Sequence, residues 1–136
     1  MSVKTNKVTA FEDSGVSLMD RIQGNGGTNI TQASLTGIAF SVYSFTDAAN
    51  ADDASAGTLV TSGTLTISAV VFDTLQTAAP WDSTVDSTGY NFRYDALAAQ
   101  RATGGLWHRY EIVFTPATGQ PFVVVWIVET LPLAGS

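Results

Sequence analysis

Residues 107–131 read WHRYEIVFTPATGQPFVVVWIVETL, and the two halves of this stretch follow different rules. From Trp107 to Phe114 the chain alternates. His108, Tyr110, Ile112 and Phe114 fall on one face, and Trp107, Arg109, Glu111 and Val113 on the other. That is the period of a strand with one apolar face. From Phe122 to Val128 the alternation disappears into seven consecutive apolar residues. The run is too short to cross a membrane as a helix, which takes about 20 apolar residues, and Glu129 and Pro132 interrupt it. It reads as an internal strand covered on both faces. The second face is expected to be closed by the opposite sheet, a neighbouring subunit or the N-terminal arm. PATGQ, with Gly119 available for a positive φ, joins the two halves as a hairpin.

Working outward, GIAFSVYSFT (Gly37 to Thr46) sets Ile38, Phe40 and Val42 against Ser41 and Tyr43. YNFRYD sets Tyr90, Phe92 and Tyr94 against Asn91, Arg93 and Asp95. Weaker strand signals lie at Val16 to Ile22, Gly57 to Gly63 and Thr64 to Phe72, with NKVTAF as a further candidate. Turn-forming clusters (GNGG, DAANADDASAG, DSTVDSTG, PATGQP) separate them at short intervals. Helical signals are confined to FDTLQTAAPW, with Asp73 as a cap, and DALAAQRATGG (Asp95 to Gly105). The expected fold is all-β: an antiparallel β-sandwich, immunoglobulin-like or jelly-roll-like, with at most one or two short helices. Residues 37–136 are expected to form the sandwich. Residues 1–36 are expected to be an N-terminal arm or edge strands, possibly docking on a neighbour.

Composition narrows the function classes. An apolar fraction of 45% with 13% charged residues is that of a folded domain and not of a disordered chain. Net charge is −6, and the six basic residues are scattered, so neither nucleic acid nor an anionic membrane is an expected partner. The N-terminal stretch has no apolar leader, so synthesis in the cytoplasm without export is expected. Cysteine is absent, which removes disulfides, thiolate metal sites and cysteine nucleophiles.

No motif names a reaction. His108 is the single histidine, sits within a strand and is accompanied by no nucleophile elbow. Several-histidine metal sites are therefore impossible. Asp52–Asp53 and the pair Asp82 and Asp86 cluster carboxylates, but without the spacing of a calcium loop. They read as turn and capping residues. GNGGTN lacks the Lys-Ser/Thr of a phosphate loop. The expectation is a protein that is not an enzyme and has no cofactor. Aromatics are the richer inventory. Trp81 beside Pro80 and Trp107 after Gly104-Gly105 are candidate contact anchors, or platforms for sugar rings. Val125 and Trp126 join them as interaction candidates should the second face of their strand be open.

Three stretches, VTSGTLTISAVVFDTLQT, WDSTVDSTGYNFRYDA and HRYEIVFTPATGQPFVVVWIVETLPL, give the chain a resemblance to small β-sandwich structural proteins of tailed phage or prophage particles. DALAAQRATGGLWHRY resembles the corner before the penultimate strand of an immunoglobulin-like module, where a tyrosine is often placed. The antibody cysteine pair is missing. The resemblance covers about three quarters of the chain and carries no catalytic residues. It implies a virion component, at the head, head–tail junction, tail or baseplate, made in the host cytoplasm. Such a component works through packing with copies of itself and with other virion proteins, as a homo-oligomer. The alternative is a carbohydrate- or receptor-binding sandwich that uses exposed aromatics.

Overall fold

A computed structural model of the chain describes residues 3–47, 51 and 57–134. Its strands are β1 (Val3–Phe11), β2 (Val16–Asp20), β3 (Leu35–Phe45), β4 (Thr58–Leu65), β5 (Val71–Gln76), β6 (Tyr90–Ala96), β7 (Trp107–Pro116) and β8 (Phe122–Leu131). One helical turn, α1 (Ile67–Val70), precedes β5, and a 3-10 turn spans Ala98–Arg101. The strands form two sheets, one in the order β1-β8-β7-β3-β4 and the other in the order β2-β6-β5. This is a β-sandwich with immunoglobulin-type connectivity. The hairpin of the last two strands is continued by β3 and β4, the first strand lies beside the last, and the three remaining strands make the opposing sheet. No helix among the described residues is long and apolar enough to cross a membrane.

The alternations set out above become the core. Ile38 and Val42 of β3, Tyr110, Ile112 and Phe114 of β7, and Phe122, Val124, Trp126 and Val128 of β8 face Leu18 of β2 and Phe92 of β6 in one buried cluster. Phe92 is its hinge: its ring stacks on Trp126 at 5.3 Å and meets Phe114 edge-on at 5.4 Å. Both are spacings at which aromatic quadrupoles attract. The β7–β8 hairpin pairs Trp107 with Glu129 through to Phe114 with Phe122, and Gly119 turns its loop at φ 103°.

Residues 3–35 supply edges and core of this same sandwich. β1 runs parallel to β8, pairing Val8 with Val128, and Val8 and Ala10 lie against the core. β2 flanks β6, and Leu18, Ile22, Ile30 and Leu35 are buried.

Two local expectations are corrected. Thr64 to Phe72 is not one strand: β4 ends at Leu65, α1 intervenes, and Val71 begins β5 in the other sheet. The chain leaves one sheet edge for the opposing sheet here, and the α1 turn, anchored by buried Val70, makes that crossing. FDTLQ is correspondingly strand and not helix. Asp73 accepts a hydrogen bond from the backbone N–H of Gln32 at 2.7 Å and caps nothing in its own segment.

Candidate interaction surfaces

The outer face of β8 decides what the apolar run is for. Val125 and Ile127 point away from the sandwich core, yet they are 0% and 1% exposed. They form a second buried cluster with Phe45 and Ala51, and Tyr43, Trp107 and Val123 pack around it. Ala51 belongs to the connection between β3 and β4. Its carbonyl accepts a hydrogen bond from Arg109 Nη1 at 2.9 Å, and Arg109 Nε is paired with Glu111 at 2.8 Å. The second face of β8 is therefore closed within the chain by residues from β3, β7 and the β3–β4 connection. The N-terminal strand meets β8 along its edge, and none of its described residues belongs to this apolar cluster. Gly57 allows the chain to pass directly over Phe45, because a Cβ there would collide with the ring. Of the proposed contact residues, Val125 and Trp126 are thus interior: one in the outer cluster, the other stacked on Phe92.

Trp107 is half-buried at the margin of the outer cluster, opposite Phe45 in the β3–β7 ladder. Trp81 is also half-buried. Its indole N–H donates to the carbonyl of Asp86 at 2.8 Å, and its ring lies 5.3 Å from that of Tyr90. Trp81 lies in the loop before β6 of the small sheet and Trp107 opens β7 of the large one. Asp82 and Asp86 organise the loop before β6. Asp82 accepts from the hydroxyl and the backbone N–H of Thr84, which hold its carboxyl below the usual range. Asp86 accepts from the backbone N–H groups of Gly89 and Thr88 and pairs with Arg21 at 2.9 Å. It too is held low, chiefly by the Gly89 N–H. Asp52 and Asp53 lie outside the described residues. Among the described residues no group of three or more histidine or carboxylate side chains is placed to hold a metal ion.

Sequence reasoning missed a buried polar cluster at the corner between β6 and β7. Arg101 is fully buried. Its Nε donates to the Tyr110 hydroxyl at 3.2 Å, its Nη2 donates to the Ser14 carbonyl, and its Nη1 has no partner among the described residues. Tyr110 donates in turn to Gln100 Oε1 at 2.9 Å, and the Gln100 amide donates to the Tyr94 hydroxyl at 2.9 Å. One glutamine so ties a tyrosine of each sheet together. His108 lies close by, its Nδ1 2.8 Å from the Thr130 hydroxyl. Burial, assisted by the Arg101 charge, pushes its pKa down to about 4. The cluster thus sets a neutral imidazole between β7 and β8 beside the buried Arg101. Its only trace in the sequence was the tyrosine expected at this corner.

Two surface features remain. At one end of the sandwich a cleft of about 270 Å³ runs between the β2–β3 and β7–β8 connections, which are linked by Asn25 Nδ2 donating to the Gln120 carbonyl at 3.2 Å. Its lining combines Asn25, Asn29 and Gln120 with Ile30, Leu35 and Phe122, and includes no charged side chain. On the large sheet, β4 is an edge paired on one side only, with Leu59 55% and Val60 42% exposed. No protein-family model matches the chain, and no curated protein sequence matches it.

Proposed function

We propose that this chain is a non-enzymatic structural module that acts by packing against copies of itself and against other proteins. On the resemblance described above, its setting is a tailed-phage or prophage particle. The observation that carries the reading is the open β4 edge. An edge strand that displays apolar side chains and unpaired backbone groups is a template for another chain, and β4, paired on one side only with Leu59 and Val60 exposed, is built this way. The cysteine-free, charge-poor composition supports the same reading. Light scattering over a concentration series tests it. A defined oligomer is the expected result, and a strict monomer at all concentrations overturns self-assembly.

A second reading, recognition of a glycan or another uncharged ligand, is favoured by the cleft between the two loops more than by Trp81 or Trp107. Amide side chains over an apolar floor suit a neutral polar ligand. Chemical-shift changes at Asn29 and Gln120 on titration with neutral monosaccharides would support it. Unchanged spectra would dismiss it.

A further inference from the structure

We propose that the free edge of β4 pairs antiparallel with the same edge of a second copy, joining two sandwiches through one continuous sheet about a two-fold axis. The inference rests on the assembly reading above and names its partner and geometry.

Among the described residues the four sheet edges are β1, β4, β2 and β5. Three carry charge in their strands: Lys4 and Lys7 in β1, Asp20 in β2 and Asp73 in β5. Charges on an edge oppose strand addition because each must be desolvated or placed beside a like charge. β4 has none, and no charged residue or proline occurs in the nineteen positions from Ala54 to Phe72. Among the described residues the one protective device at this edge is a bulge. Thr61 pairs with Val42 and Leu59 with Tyr43, so Val60 is the extra residue. The regular ladder with β3 is thereby limited to Thr61–Leu65, and that segment is the one shaped to accept a further strand.

The choice of a second copy follows from charge. With a net charge of −6, two copies repel over most of their surfaces. The β4 strand itself brings no carboxylate to such a contact. An edge with no charge also offers no electrostatic selection for a different partner. Antiparallel self-pairing about a two-fold sets serine and threonine side chains opposite one another, a favourable cross-strand combination. The shared segment is short, so the buried area falls below the roughly 1,200–2,000 Å² of stable complexes, and a dissociation constant in the micromolar range is expected.

The test is sedimentation of the full chain from low micromolar to submillimolar concentration, for wild type, Leu59→Lys, Ser62→Lys and the control Val85→Lys. Leu59, Ser62 and Val85 are all exposed, so each variant should keep its fold, checked by circular dichroism and melting temperature. Each adds the same charge, but only the first two add it to the β4 edge, Ser62→Lys within the shared segment and Leu59→Lys next to it, so that like charges of the two copies are brought together there. The proposal expects a wild-type dimer weakened at least about tenfold in both edge variants and unchanged in Val85→Lys. Backbone amides of Thr61–Leu65 should also gain hydrogen-exchange protection as wild-type concentration rises. An oligomer untouched by both edge variants overturns the β4 interface while leaving self-assembly standing. A wild type that is monomeric throughout overturns both.

Discussion

The hydroxyl of Tyr110 accepts a hydrogen bond from Nε of Arg101 at 3.2 Å in the interior of the protein, where the guanidinium is fully buried and one of its nitrogens has no partner among the described residues. Nine residues apart in sequence, the two fix the 3-10 corner to the strand that follows it. A buried charge leans heavily on every hydrogen bond it makes. Arg101→Ala, which empties the site and strands the Ser14 carbonyl, should cost about 3–5 kcal/mol in urea denaturation. Tyr110→Phe should cost about 1–2 kcal/mol. The double variant should cost clearly less than the sum. Additive losses would show that the pair is not coupled.

His108 makes stability depend on pH. Its folded pKa, about 4, lies below the ordinary value of 6.5 because of burial and then the Arg101 charge. The unfolded chain takes up its proton first as pH falls, so the contribution is fully present above about pH 6.5 and is lost between there and about pH 4. The loss attributable to this residue is about 3 kcal/mol. Urea denaturation across that window should show the decline, and His108→Gln should flatten it. An unchanged slope in the variant would assign the acid sensitivity to other groups.

Both faces of β8 are dry, so both should reject charge. Val125→Asp and Trp126→Asp each place a carboxylate inside an apolar cluster, the first directly across the ladder from Glu111, and both chains should fail to fold, seen as loss of cooperative melting. Trp126→Ala should cost about 3–5 kcal/mol, as expected for removing a buried aromatic that stacks on Phe92. Val125→Ala, a smaller deletion in the outer cluster, should cost less but remain measurable.

Asp86 binds its own loop together through Thr88, Gly89 and Arg21, and its carbonyl holds the Trp81 indole. Asp86→Ala should loosen residues 81–89, red-shift Trp81 fluorescence and open the loop to proteolysis, with little change in the far-ultraviolet spectrum. A protected loop in the variant would place its restraint elsewhere.

Side-chain periodicity was enough to assign the strands whose burial is lopsided. Where one face meets the core and the other meets solvent or a polar neighbour, side chains alternate, and β3 and β7 could be assigned face by face. β8 could be recognised as doubly covered for the complementary reason, since an unbroken apolar run survives only where water is excluded from both sides. Tertiary structure alone decided what does the covering. Phe45 and Ala51 lie some eighty residues from Val125, and periodicity reports that a face is dry without naming its partner. It also decided where Thr64 to Phe72 breaks. Strand-forming residues continue through that stretch while the chain changes sheets, a choice set by the position of the opposing sheet and not by local preference. Arg101 is the extreme case. A lone arginine in an alanine-rich segment reads as a solvated side chain, and only the closing of the β6–β7 corner over Ser14 and Tyr110 takes it out of water.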